Sequence, residues 1–270
     1  MERSVFELIK ERRSVRTFDG KGLAAAERDA IEKMLSGCTN PFGVDVRMVL
    51  LDKKAHGLSS PVVIGEDAYI SAKVKREKNF EIAYGYTFEA ACVGALSLGY
   101  GTVILAATFN RPAFESALGV VEGEFVPAAS PIGRTAAKMS LRETIMRKGA
   151  KSDTRLPFEE LFFGDSFAKP LPFGNAGIFA DALEACRIAP SATNRQPWRA
   201  VVCGDRVHFF EKRSMKDNPL GDVQKIDVGI GLCHFDLVMK EEGHTGSFIF
   251  DDPKIGLPDR TEYIVTYQIN

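Results

Sequence analysis

Cysteine is sparse in this chain, and none of it is spaced for metal. The five cysteines, Cys38, Cys92, Cys186, Cys203 and Cys233, are an odd number, and no two form a C-x-x-C pair. That excludes a disulfide framework and a thiolate zinc site. Cys92 in an Ala/Gly-rich run and Cys203 in an apolar run read as small core residues. The four histidines, His56, His208, His234 and His244, share no ligand spacing. No G-x-S-x-G, P-loop or H-E-x-x-H occurs, so hydrolase and nucleotide-triphosphatase chemistry lack support. No apolar run reaches the ~18 residues of a membrane span. The first residues, Met1-Glu2-Arg3-Ser4-Val5-Phe6-Glu7, lack the apolar centre of a signal peptide. The expectation is a cytoplasmic protein with reduced thiols and no membrane partner. A net charge of -1 offers no basic surface for nucleic acid.

What is present is an ordinary globular composition, 45% hydrophobic and 26% charged over 270 residues, enough to bury a large core or two smaller ones. Ser4 and Glu7 have capping-box spacing and predict a helix over 4–12. Periodicity predicts helices over 24–35, 84–98, 178–188 and 226–242. Strands are expected at 46–51, within 59–70, at 102–107, within 122–132, and at 199–203, 207–210, 247–250 and 263–268. The basic stretch 134–152 has no strong period. The order helix, proline, strand, long helix, glycine, strand occurs twice, which is a repeat signal. Arg47-Met48-Val49-Leu50-Leu51-Asp52 and Arg199-Ala200-Val201-Val202-Cys203 are its matching strands. The halves are placed at 1–165 and 166–270.

Four clusters could carry chemistry. In Arg12-Arg13-Ser14-Val15-Arg16-Thr17-Phe18, an extended backbone would turn Arg12, Ser14 and Arg16 to one side. Two guanidiniums and a hydroxyl suit a phosphate; equally, the cluster could be a basic helix end complementing its own dipole. In Ala189-Pro190-Ser191-Ala192-Thr193-Asn194-Arg195-Gln196-Pro197-Trp198, two prolines bracket a row of short hydrogen-bonding side chains. Such a loop can present donors to a ring edge, or can be a helix-terminating turn with Trp198 as core anchor. Gly99-Tyr100-Gly101-Thr102 leads to Ala106-Ala107-Thr108, where small residues would let a planar ring approach the backbone or let helix pack tightly on sheet. The basic run from Arg147 to Arg155 is the fourth, with solvated charge as its plainer reading.

Together these clusters resemble the FMN-dependent nitroreductase family, in particular its duplicated subgroup. The arginine cluster, the proline loop, the Gly-x-Gly-Thr helix end and the basic segment before Leu156-Pro157 each match a family signature. Their order departs from it. The proline loop should follow the arginine cluster closely, yet that place holds Ser36-Gly37-Cys38-Thr39-Asn40-Pro41-Phe42, a degraded copy. The good copy stands in the second half, which in turn lacks an arginine cluster. Family members are homodimers with FMN between subunits, so a tandem fusion that kept one signature in each half would keep one composite site.

The resemblance implies an α+β, three-layer α-β-α sandwich whose two halves form an internal pseudo-dimer, monomeric in solution. It implies an enzyme binding FMN, taking electrons from NAD(P)H and passing them to a small acceptor such as a nitroaromatic, quinone or flavin by a ping-pong scheme. Arg12, Arg13, Ser14 and Arg16 would hold the FMN phosphate or pyrimidine edge, with Lys151 and Arg155 completing the phosphate clamp. Pro190, Ser191, Thr193 and Asn194 would reach the same cofactor, and the backbone of Ala106, Ala107 and Thr108 would face its ring. No protein acid or base is required, because the flavin carries the redox chemistry. Flavin storage or sensing, dehalogenation and flavin destruction are the alternatives.

Overall fold

Alanine, cysteine and glycine at positions 91, 92, 94 and 95 make the middle of the longest first-half helix narrow. That helix, Phe80–Ser97, is apolar all round and buried over most of its length, as expected of a helix enclosed in a core. A side chain at Gly94 would meet Met34 of the helix Ala25–Ser36. The computed structural model describes residues 3–149, 154–216 and 221–270. The chain divides into two units. One comprises Glu11–Ser152; the other comprises Met1–Lys10 and Asp153–Asn270.

The Glu11–Ser152 unit holds an antiparallel sheet in the order Val49–Asp52, Ala68–Ser71, Ala129–Gly133, Gly101–Thr102. Val15, Phe18, Leu51, Leu58, Tyr69, Val103 and Phe114 belong to one apolar cluster. The extended 14–18 segment is fastened beside the sheet: Ser14 bridges Thr102, Thr17 bridges Ile64 and Phe18 bridges Thr135. The strand expected at 102–107 is cut short. It pairs only at Gly101–Thr102, touches Ala129 again through Leu105, and then bends. The aperiodic stretch contains a helix, Leu141–Gly149. Ser140 Oγ accepts from the Glu143 amide at 3.2 Å and Thr17 Oγ1 donates to the Glu143 carboxylate at 2.7 Å. A capping contact thus starts a helix that periodicity alone does not reveal.

The second unit holds a five-stranded sheet in the order Gly246–Ile249, Thr261–Ile269, Arg206–Lys212, Trp198–Cys203, Phe162–Gly164, with only the last pair parallel. The Gly204-Asp205 turn joins the two central strands as its sequence predicts. The helix Val223–Glu241 lies on this sheet through Phe235, whose ring meets Phe209 and Tyr267 edge-on. Its N-cap is Asp222, which accepts from the Gln224 and Lys225 amides. At the other end Glu241 accepts from the Val5 and Phe6 amides at 2.6 and 3.1 Å. That contact ties the first residues of the chain to the second unit, satisfying amides that a short helix start leaves open. Among the described residues no helix is long and apolar enough to cross a membrane.

Candidate functional site

The arginine cluster is less uniform than alternation implies. Arg13 is exposed, Val15 is buried, and Arg12, Ser14 and Arg16 are partly buried. Arg12 turns inward. Its side chain is 5% exposed and its Nε stands 2.5 Å from the carboxylate of Glu89, which is 0% exposed. Burial is the largest single influence and would lower the guanidinium's pKa; attraction and hydrogen bonding to Glu89 and Cys92 together outweigh it, and the net shift is upward. Burial also pushes the neighbouring Cys92 thiol up to about 12, keeping it protonated and inert. Arg12 is therefore half of a buried ion pair rather than an outward-facing cation. A cavity of about 170 Å³ lies alongside, lined by Arg13, Val15, Tyr100, Gly101, Thr102 and Thr135 among others. A side chain at Gly101 would collide with Val15 and Thr135. The cavity is smaller than the roughly 300 Å³ at which ligand pockets begin, so by itself it has room for a phosphate-sized group only.

The 106–108 segment is the bend that replaces the expected strand. Arg111 Nη2 donates to the Ala106 carbonyl at 2.7 Å, with its guanidinium over the Phe109 ring at 4.5 Å. Ser60 Oγ donates to the Thr108 carbonyl at 2.6 Å, and the Asn110 amide donates to Ser59 O at 3.0 Å. Two carbonyls of the bend are thus held from behind by side chains, and Ala107 between them is exposed. Spacing singles out neither Arg111 nor Ser60. The usable signal was Asn110-Arg111-Pro112, a helix start with proline in its first turn.

In the second unit the proline loop is tightly fixed. Thr193, Asn194 and Gln196 have φ of 50°, 57° and 49°, a left-handed conformation costly for residues with a Cβ. Side chains hold it there. The Gln196 amide donates to Ser191 Oγ at 2.9 Å, and Gln196 Oε1 accepts from the Leu156 amide at 2.9 Å. Asn194 Nδ2 donates to Thr154 O at 3.0 Å, and Arg155 Nη1 donates to Asn194 Oδ1 at 3.3 Å. Arg155 also donates through Nε and Nη2 to Ile188 O, at the end of the preceding helix. The Ala192 amide donates to Asp227 at 3.0 Å. Arg155, Pro190, Ser191, Thr193 and Asn194 therefore belong to one constellation, in which Arg155 braces the loop. Lys151 lies outside the described residues. Asp227, at the start of a helix 35 positions downstream, was missed, because one acid among Ile226, Val228 and Gly229 carries no motif.

The degraded copy is organised differently. Asn40 Nδ2 donates to Val44 O at 2.9 Å and Thr87 Oγ1 at 3.1 Å, while its Oδ1 accepts from the Phe42 amide at 3.0 Å. Its amide group is spent on the fold.

Beneath the good loop, Glu211 sits on the central strand directly opposite Trp198 on one side and Glu262 on the other. It is 0% exposed, and Arg213 Nε approaches at 3.5 Å. Burial, then the nearby charge of Asp222, push its pKa from 4.5 up to about 8.

The second unit's loop, with two hydroxyls, an amide and a guanidinium held on a rigid turn, suits a polar ligand rich in acceptors. Arg13 and Arg16 supply positive charge in the first unit. Each group by itself offers the donors that a phosphate or a polyhydroxyl chain accepts from. Comparison with solved structures finds the same fold. A Thermotoga maritima protein described as a "putative nitroreductase" superposes with a TM-score of 0.65 at 20% identity, covering 100% of this chain and 94% of its own. A nitroreductase with bound FMN from Bacteroides fragilis matches 52% of this chain and 92% of its own at 18% identity, TM-score 0.40. A nitroreductase family protein from Clostridium novyi matches 50% of this chain and 87% of its own at 18% identity, TM-score 0.42. No curated protein matches the chain. Residues 4–239 match the family described as "Putative TM nitroreductase". The chain has the α+β nitroreductase fold and belongs to that family.

Proposed function

We propose that this chain is an FMN-dependent oxidoreductase that takes electrons from NAD(P)H and passes them to a small acceptor such as a nitroaromatic, a quinone or a flavin. The observation that supports it most is the 191–196 loop, where three non-glycine residues keep a positive φ. Such strain costs about 1–3 kcal/mol per residue and persists where a ligand site requires the geometry. When bound, FMN supplies the ring that accepts and returns hydride.

The residues that would hold it are Arg13, Ser14 and Arg16, the backbone at 106–108, and Pro190, Ser191, Thr193 and Asn194, with Lys151 retained on its sequence match. Arg12 and Arg155 serve by fixing the segments that carry these groups. Ser191 Oγ accepts from the Gln196 amide, so its own O–H remains a donor. Positive charge from the arginine segment would favour an anionic reduced ring and so set its potential. That both motifs serve one FMN in a monomeric protein rests on the complementary losses in the sequence; the cytoplasmic setting rests on its unpaired cysteines.

The test is the absorption spectrum of fresh protein, followed by anaerobic NAD(P)H. One FMN per chain, bleached by the nicotinamide and recoloured by a quinone, is the expected result. A colourless protein that takes up no FMN would overturn the proposal, and a yellow protein that NAD(P)H cannot bleach would make it a flavin store.

A further inference from the structure

The left-handed residues of the 191–196 loop need something to hold them, and most of the holding groups belong to the loop itself or to the 154–156 segment beside it. Asp227 is different. It stands on the second turn of the helix Val223–Glu241, is 4% exposed, and takes the Ala192 amide at 3.0 Å. Ala192 opens the short turn Ala192–Asn194, in which Thr193 has φ 50°. Ser191 before it is fully extended, so the chain reverses sharply at the residue whose amide Asp227 holds. The helix itself is fixed on the strand that follows the loop: Gly231 lies one turn further on, where an added Cβ would come within 3.4 Å of the Trp198 ring. The loop's hold and the loop's exit are thus set by the same helix face.

We propose that Asp227 is a positioning residue of the flavin loop: it pins the Ala192 amide so that Thr193 and Asn194 stay in the left-handed conformation that presents them to the cofactor. This rests on the FMN reading above. The groups facing it argue that it acts as a neutral acid. Asp222 and Glu211 are the like charges that act on it; the cations of this cluster, Arg213 and Lys225, pair with Asp222 and Glu262 at 2.6 Å each. Burial and those two acids shift its pKa far upward. A neutral carboxyl still has a carbonyl oxygen for the Ala192 amide, so an amide side chain should replace it without loss.

Three variants test this: Asp227→Asn, Asp227→Leu, and Asp227→Leu combined with Thr193→Gly. FMN affinity is measured by flavin fluorescence titration, and amide hydrogen exchange is measured on the protein without added FMN. Asp227→Asn should bind FMN within roughly twofold of wild type, because the hydrogen bond is kept. Asp227→Leu should weaken it about tenfold, since a buried amide loses its acceptor. It should also speed exchange at 192–196 by about tenfold, with the helix Val223–Glu241 still protected. Glycine at 193 adopts a positive φ without a Cβ penalty, so the double variant should regain about threefold of the lost exchange protection at 192–196, though not the affinity that the Thr193 side chain supplies. A merely destabilised fold would lose protection in the helix Val223–Glu241 as well, not at 192–196 alone. If Asp227→Leu does not fold, Asp227→Ala is read identically.

Wild-type affinity and exchange in the leucine or alanine variant would overturn the inference, as would an asparagine variant as damaged as the leucine one. Should wild type bind no FMN, the functional reading fails while the exchange data still decide Asp227: unchanged exchange refutes it and tenfold acceleration upholds its hold on the loop.

Discussion

Replacing Arg12 by alanine should damage the fold more than the cofactor site. The guanidinium is nine-tenths buried against Glu89, a carboxylate with no exposure on the helix Phe80–Ser97. Removing it leaves that carboxylate in the core without its cation. Breaking one side of a buried pair costs about 3–5 kcal/mol, well above the ~1 kcal/mol of an exposed pair. The pair's own net worth is smaller, because burying both charges is itself expensive. Replacing both by apolar side chains of similar volume, Arg12→Met with Glu89→Leu, should therefore recover most of the loss. Urea denaturation followed by far-ultraviolet circular dichroism reads this directly. The midpoint should fall for Arg12→Ala and return toward wild type in the double variant. FMN affinity, measured at temperatures where Arg12→Ala is folded, should stay close to wild type, whereas Arg13→Ala should weaken FMN at unchanged stability. A loss below about 1 kcal/mol for Arg12→Ala would show that water screens the pair and that its inward reading is wrong. Loss of FMN affinity from Arg12→Ala at full stability would return Arg12 to the cofactor's contacts.

Three further outcomes are expected. Asn194→Ala should cost FMN affinity about 1 kcal/mol by calorimetry, as for one neutral hydrogen bond, while Asn40→Ala should cost about 1–3 kcal/mol of stability and no affinity. Glu211 has its folded pKa raised from 4.5 to about 8, so the folded state binds the extra proton between those values. Stability should therefore be full below pH 4.5 and decline as pH rises to about 8, and Glu211→Gln should flatten that decline in denaturation midpoints taken from pH 5 to 9. Titrated FMN should saturate near one per chain; a stoichiometry near two would reject the single composite site inferred from the complementary motif losses.

Much of the fold is legible where local pattern and tertiary role agree. The turn at Gly204-Asp205 between two apolar runs gives the strand pair Trp198–Cys203 and Arg206–Lys212, and small residues give the enclosed helix Phe80–Ser97. The reading fails where distant side chains decide. Apolar residues at 103–107 predict a strand, but Arg111 and Ser60 capture the carbonyls of Ala106 and Thr108 and bend the chain away from the sheet. Arg12 fails for the same reason: nothing in a run of arginines shows that a carboxylate 77 positions later draws one of them into the core.

The two proline loops, alike in sequence, are built differently in the structure. In sequence they differ by degree, each with an asparagine, a proline and short polar residues. In the structure they differ in kind. None of residues 36–42 has a positive φ, and the left-handed position that follows them is taken by Gly43, which adopts it without a Cβ penalty. In the other copy Thr193, Asn194 and Gln196 all adopt it, at a cost that the surrounding side chains must offset. The asparagines differ as well: the side chain of Asn40 bonds Val44 and Phe42 in its own turn and Thr87 on the helix Phe80–Ser97, whereas that of Asn194 bonds Thr154 and Arg155. A strained loop held by Gln196, Arg155 and Asp227 is under constraint at every one of those positions. Relieving the strain with Thr193→Gly should therefore raise stability while lowering FMN affinity, and a variant that gained both would show that the strain serves no ligand.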